Sequence, residues 1–244
     1  MATPTQSIRQ IVAAQSSAAI VLQRFDIDLC ARANSSLGQV CAELQLSVDQ
    51  VLEKLENAAC GQKSIPSDLE IYSLSRLIQH IVRTHHQYVR RELPRLEAAA
   101  HKLAGKHGEK APHLKKVEKV AEELHAEMFA HLQKEEQVLF PFIAEMDQDS
   151  IAVCSPPHAC FRTVAQPVMM MISEHESAEG LVAEIRELTD EFTPPQWACP
   201  THIAFCAGLK DFAADLRQHV HLENDFLFPR AVELEAKLNR RSVK

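Results

Sequence analysis

The sequence predicts an all-α protein: a four-helix bundle preceded by a small helical N-terminal domain. Three observations carry this expectation. Only 6 of the 244 residues are glycine, and Ala, Leu, Glu, Gln and Lys, all good helix formers, are frequent. Apolar residues recur at spacings of three and four along four long segments, and no stretch shows the strict alternation of a half-buried strand. The last two long segments then repeat the polar interruptions of the first two, which is the signature of a duplicated helical hairpin.

In chain order, residues 7–24 form a helical pattern with Ile8, Ile11, Val12, Ala19, Ile20 and Leu22 supplying apolar positions. A loop over 26–36 follows, then a short helix over 36–44. Ser47 has the residue type and place of an N-cap for a helix over 48–57. The turn-forming run 61–67 marks a boundary. The expected organisation is therefore a small domain over 1–60, a linker over 61–68 and the bundle over 69–244. The bundle's first segment covers about 69–104, with Pro94 expected to bend or split it. The second covers 114–145, the third 168–191 and the fourth 201–238. An irregular stretch over 147–166 separates the halves, and Thr193-Pro194-Pro195 ends the third helix.

Composition narrows the function classes. A net charge of −7 argues against a nucleic-acid surface. No apolar run approaches membrane-spanning length, and the N-terminus lacks the layout of a signal peptide, so the expected compartment is the cytoplasm. Seven cysteines in a reducing compartment are expected to be free thiols.

The chemistry lies in two pairs. His131 and Glu135 are four residues apart, as are His219 and Glu223, so each pair projects from one helical face. Leu124, Met128, Val138 and Phe142 mark that face for the first pair, and Phe212, Leu216 and Phe226 for the second. Polar groups on a buried stripe cost several kcal/mol unless paired or metal-bound. Each pair is followed at the same distance by Phe-Pro: Phe140-Pro141 and Phe228-Pro229. Upstream, His85 shares the stripe of Ile78, Ile81, Val82 and Val89, and His175 that of Val168, Met171, Ala178 and Val182. Four imidazoles and two carboxylates suit two metal ions bridged by the glutamates, with positions left for O₂, NO or peroxide. Iron fits such donors, as do manganese and zinc. Glu127 and Glu174 are assigned supporting roles, orienting imidazoles or relaying protons. The remaining histidines, among them His80, His86, His101, His107, His113, His125 and His221, are read as surface or loop residues.

The segments Ile81-Val82-Arg83-Thr84-His85, His131 through Pro141, Ser173-Glu174-His175-Glu176, and His219 through Glu223 with Leu227-Phe228-Pro229-Arg230 strongly resemble the iron–sulfur cluster repair di-iron proteins, the Repair of Iron Centres family, which have a hemerythrin-like bundle. The resemblance covers nearly the whole chain. It implies a non-haem di-iron centre at His85, His131, Glu135, His175, His219 and Glu223, oxo- or hydroxo-bridged. It also implies a role in nitrosative and oxidative stress, with NO or O₂ as ligands and damaged iron–sulfur proteins as partners. Turnover of NO to N₂O, iron delivery, NO sequestration without turnover and a metal- or NO-sensing regulatory module all remain open, as does the oligomeric state, a homodimer included. The family's N-terminal domain is recognisable in Phe25-Asp26-Ile27-Asp28-Leu29-Cys30. Here the family's second cysteine and paired glycines are replaced by Ala31-Arg32-Ala33-Asn34, so chemistry needing two adjacent thiols is not expected, and Cys30 stands alone as a thiol site. Cys154, His158 and Cys160 share a short loop whose spacing matches no zinc pattern.

Overall fold

The computed structural model describes residues 2–15, 18–29, 31–59, 72–149 and 163–242. Cys30, the 61–67 boundary and the Cys154/His158/Cys160 loop lie outside them. Among the described residues the secondary structure is helical, apart from an isolated bridge between Ser7 and Ser36. The helices are α1 (Ile8–Ala14), α2 (Ala18–Arg24), α3 (Leu37–Glu43), α4 (Val48–Ala59), α5 (Leu74–Ile81), α6 (Gln87–His107), α7 (His113–Lys134), α8 (Phe140–Asp149), α9 (Ala165–Leu188), α10 (Pro200–His221) and α11 (Phe228–Ser242). Three π-helical turns link consecutive helices: Val82–His86 between α5 and α6, Glu135–Leu139 between α7 and α8, and Leu222–Leu227 between α10 and α11.

The first expected helix is two, α1 and α2. Both α1 and α3 begin with a complete capping box, in which Ser7 or Ser36 accepts from the N–H three residues on, and Gln10 or Gln39 reaches back. These caps satisfy N–H groups that helices of only seven residues could not otherwise spare. Pro94 lies inside α6 and does not split it; the interruption of that segment falls earlier, at Val82–His86.

Two compact units are present, and they do not follow chain order. One joins Met1–Ser64 with Arg95–Lys119 and Ile185–Asp211; the other joins Ile65–Pro94, Val120–Glu184 and Phe212–Lys244. In the first unit, Ile8, Ile11, Leu22, Leu37, Val40, Val51 and Leu55 form a core against which Ile203 and Ala204 of α10 also pack. The Arg9 guanidinium donates to the carbonyl of Ala198 (3.1 Å).

In the second unit, Leu77, Ile81, Leu139, Phe140, Ile143, Leu227 and Phe228 belong to one core. Its element ends are tied down by polar contacts. The Ser75 N–H and hydroxyl both donate to Asp147 (3.0 and 2.8 Å), joining the start of α5 to the end of α8. The Val164 N–H donates to Glu235 (2.8 Å), and Arg230 to the Tyr72 carbonyl (2.5 Å). Every residue with ligand chemistry discussed below belongs to this unit.

Leu22 is fully buried in the first core, and truncating such a side chain leaves a cavity. Leu22→Ala is expected to lower the unfolding free energy by about 2–5 kcal/mol, read by chemical denaturation.

Candidate metal centre

The π-turns set the register of the site. In each, an N–H reaches back five residues: Gln87 to the Val82 carbonyl, Phe140 to Glu135 and Phe228 to Glu223. A π-turn adds one residue to the turn and shifts the face of all that follows. The two Phe-Pro pairs encode two of these. Pro141 and Pro229 carry no N–H, and their rings would clash with the carbonyl four residues earlier; a widened turn relieves both. No proline adjoins the first π-turn.

The shift changes which residues are buried. Val138, placed on the stripe by straight-helix spacing, is 44% exposed, whereas Leu139, Phe140 and Ile143 fill the core. It also decides between two neighbouring histidines. From Ile81 to His86 is five residues, the span of a π-turn, and from His86 the apolar positions Val89, Leu93 and Leu96 continue at helical spacing.

His86 joins the ligand cluster, and His85, expected there, does not. Donor atoms of His86, Glu135, His219 and Glu223 converge in one buried group, and those of His131, His175, His219 and Glu223 in another. His86 Nε2 lies 3.3 Å from Glu135 Oε2 and 3.6 Å from Glu223 Oε1. His131 Nε2 lies 3.4 Å from Glu135 Oε2, and His175 Nε2 3.0 Å from Glu223 Oε2. The Nε2 atoms of His131 and His175 are 3.1 Å apart, and His219 Nε2 is 2.9 Å from Glu223 Oε1. His85 stands beside this group, its Nδ1 3.1 Å from Asp215 Oδ1 and its ring stacked on that of His219.

Outer contacts fix three of the four imidazoles at Nδ1. His86 Nδ1 lies 2.8 Å from Glu136 Oε1, which also meets Arg90 at 3.1 Å. His131 Nδ1 lies 3.0 Å from Glu174 Oε2, and Lys134 pairs with the same carboxylate. His175 Nδ1 lies 3.0 Å from Asn224 Oδ1. In each case Nδ1–H donates to the oxygen and leaves Nε2 aimed inward, the arrangement that makes imidazole a good ligand. Glu127 accepts from the Ser177 hydroxyl (2.9 Å). Sequence reasoning missed Glu136 and Asn224, although each directly follows a ligand-type glutamate.

The electrostatics call for cations. Glu135 and Glu223 are fully buried, and the two oxygens of Glu135 have no hydrogen-bond partner among the described residues, nor has His86 Nε2. Orphaned donor atoms on buried charged groups are what a metal ion satisfies, so the residues present fit a metal pair. Protons compete with a metal for the same atoms. Burial opposes charge on His86, but the carboxylates of Glu135, Glu136 and Glu223 outweigh it and hold the imidazole up to about 11. Burial likewise opposes charge on His131, and Glu135, Glu223 and Glu174 outweigh it, up to about 9. For Glu223, burial is outweighed by His219, His175 and His86, which hold the carboxyl well below its usual range. Burial dominates at His219 and lowers it.

Comparison with known proteins places these donors inside a matched family domain. The hemerythrin HHE cation-binding domain matches residues 77–231. The iron–sulfur cluster repair protein YtfE of Enterobacter sp. (strain 638) is 32% identical over 233 residues, covering 95% of this chain and 99% of that protein. YtfE of Escherichia coli O81 (strain ED1a) is 31% identical over the same coverage. No helix among the described residues is long and apolar enough to cross a membrane.

Because ligation needs neutral imidazole, Fe(II) or Co(II) added to metal-free protein at pH 7 is expected to release one proton each from His86 and His131, measured by pH-stat titration. The same raised pKa values stabilise the metal-free fold fully below about 6.5, the unfolded value. That contribution is lost as pH climbs through about 9 and then about 11, so the metal-free melting temperature is expected to fall from pH 7 to pH 9. Glu136→Ala removes the group that orients His86 and is expected to cost about 10–100-fold in metal affinity.

Proposed function

The chain belongs to the hemerythrin HHE cation-binding family, among its iron–sulfur cluster repair proteins, and we propose that it acts in the cytoplasm through a pair of iron ions held by His86, His131, Glu135, His175, His219 and Glu223. Family membership implies the di-iron centre, and the His/Glu cluster is able to hold it. The observation that carries the reading is the convergence of four imidazole and carboxylate donors in each of two overlapping groups, wholly buried. Glu135 and Glu223 lie between the histidines of different helices and would hold and neutralise the two cations. A redox-active iron pair supplies binding and electron transfer to diatomic ligands.

The protein's own residues set the terms of access and charge. Leu139, Phe140, Leu227 and Phe228, beside the carboxylates in sequence, are buried apolar residues of the same unit, a setting suited to NO or O₂ and closed to larger polar substrates. His86, His131 and His175 keep fixed ring orientations through Glu136, Glu174 and Asn224, so little reorganisation accompanies a change in iron charge. The names of the relatives support a part in the repair of damaged iron–sulfur clusters, with NO binding or reaction at the iron pair as the chemistry the bundle contributes. The residues around Cys30 offer no adjacent second cysteine, which favours a role that relies on the iron pair alone.

Reduced, iron-loaded protein exposed to excess NO is expected to consume it, and His86→Ala and Glu135→Ala are expected to lose bound iron and NO consumption together. N₂O accumulating over many equivalents marks turnover, whereas uptake ending at a fixed ratio to protein marks sequestration. Incubation with an enzyme whose iron–sulfur cluster has been damaged by NO tests repair: recovery is expected with the wild-type chain and absent with Glu135→Ala. Retention of two irons by either variant overturns the ligand assignment.

A further inference from the structure

The outer contacts of the four imidazoles follow a rule, and His85 occupies the place where the rule changes. His86 is held by Glu136, the residue after Glu135; His175 is held by Asn224, the residue after Glu223. These two are equivalent under the duplication. His131 is held by Glu174, the residue before His175. The equivalent support for His219 must come from the residue before His86, which is His85.

The contact is there, with different chemistry. The rings of His85 and His219 lie nearly parallel, at an interplanar angle of 12° and a centroid separation of 5.8 Å. His219 Nδ1 is buried with no hydrogen-bond partner among the described residues. His85 Nδ1 also lies 3.1 Å from Oδ1 of the buried Asp215, within ion-pair distance though without hydrogen-bond geometry. His85 and Asp215 are 2% and 7% exposed, so neither contact is a surface accident. A carboxylate at Nδ1 increases the electron donation of an imidazole to its metal; a ring against its face fixes the plane of the imidazole without that donation.

We propose that His85, anchored by Asp215, is the positioning residue for His219, and that the stacked support on one side against the carboxylate support on the other makes the two metal ions inequivalent. This rests on the reading of the cluster as a dinuclear metal site. Wild-type protein then takes up metal in two separable steps, and His85 governs one of them.

The test is anaerobic titration of the full-length, metal-free protein with Co(II), following the visible absorption and the metal bound. Two steps with distinct spectra are expected for the wild type. In His85→Ala, one step is expected to weaken by about tenfold or more, in the range typical of lost outer-sphere support, with its spectrum altered and the other step unchanged. His85→Phe keeps a flat ring against His219 and is expected to restore the affinity of that step. Wild-type behaviour in His85→Ala, equal weakening of both steps, or a Phe variant no better than the Ala variant overturns the proposal. Should His85→Ala fail to fold, as judged by circular dichroism of the metal-free protein, His85→Phe against Asp215→Asn decides. The Phe variant is then expected to keep two distinct steps and Asp215→Asn to weaken one; the reverse result overturns the inference. Titration of His86→Ala and Glu135→Ala in parallel separates the two levels. If these bind both ions the assignment of His86 and Glu135 to the metal site is wrong, whereas if they lose metal and His85→Ala does not, only the role of His85 falls.

Discussion

Two carboxylates without water set the terms for the site. Glu135 and Glu223 are fully buried, and an uncompensated buried carboxylate costs several kcal/mol even after relaxation. The helices that carry them must therefore bring positive charge to the same place. Among the described residues the groups brought there are imidazoles, and they serve in two states: protonated, as in His86 and His131 held well above their usual range, or neutral around a metal ion. Polar residues so costly to bury are justified by a ligand, not by stability, since an apolar set of similar volume would pack as well.

The π-turns are the backbone's answer to the same demand. In two of them the ligand-type glutamate itself supplies the carbonyl that accepts the five-residue hydrogen bond. Each wide turn lets two adjacent positions face inward where an α-helix allows one, so His85 and His86 are both buried. The irregularity costs backbone hydrogen-bond quality and appears where donors must converge, which is where π-bulges concentrate in general.

Much of this was legible in the sequence and some was not, for one reason. Amphipathic spacing gave the all-α class, the four long segments and the duplicated pairs, because burial of an apolar stripe is a local, periodic demand. Phe-Pro at a fixed distance after each pair was visible as a repeat, and Pro141 and Pro229 carry its physical meaning. A straight-helix projection, however, carries the stripe from Ile78 through His85 and from Glu135 to Val138. Each π-turn moves the phase by one residue, so His86 takes the place expected for His85, and Val138 points out while Leu139 points in. Projecting backward from Val89, Leu93 and Leu96 would have reached His86. Spacing agrees as well: 45 residues separate His86 from His131 and 44 separate His175 from His219, a closer match than His85 gives. Glu136 and Asn224 were invisible to any stripe argument, because they touch their imidazoles across helices from positions beside the stripe.

Duplication explains why the site is symmetric, and its departures from symmetry are where this chain differs from a mere repeat of itself. A carboxylate and an amide occupy equivalent stations at Glu136 and Asn224, so one imidazole is backed by negative charge and its counterpart by a neutral dipole. The same holds for Glu174 against His85. In both comparisons the anionic support belongs to a histidine near Glu135, His86 or His131, and the neutral support to His175 or His219, which meet Glu223; His86 also approaches Glu223, at 3.6 Å. Electron donation through imidazole rises with negative charge at the outer nitrogen. The imidazoles of one shared cluster are therefore backed unequally, His86 and His131 by carboxylates and His175 and His219 by neutral groups.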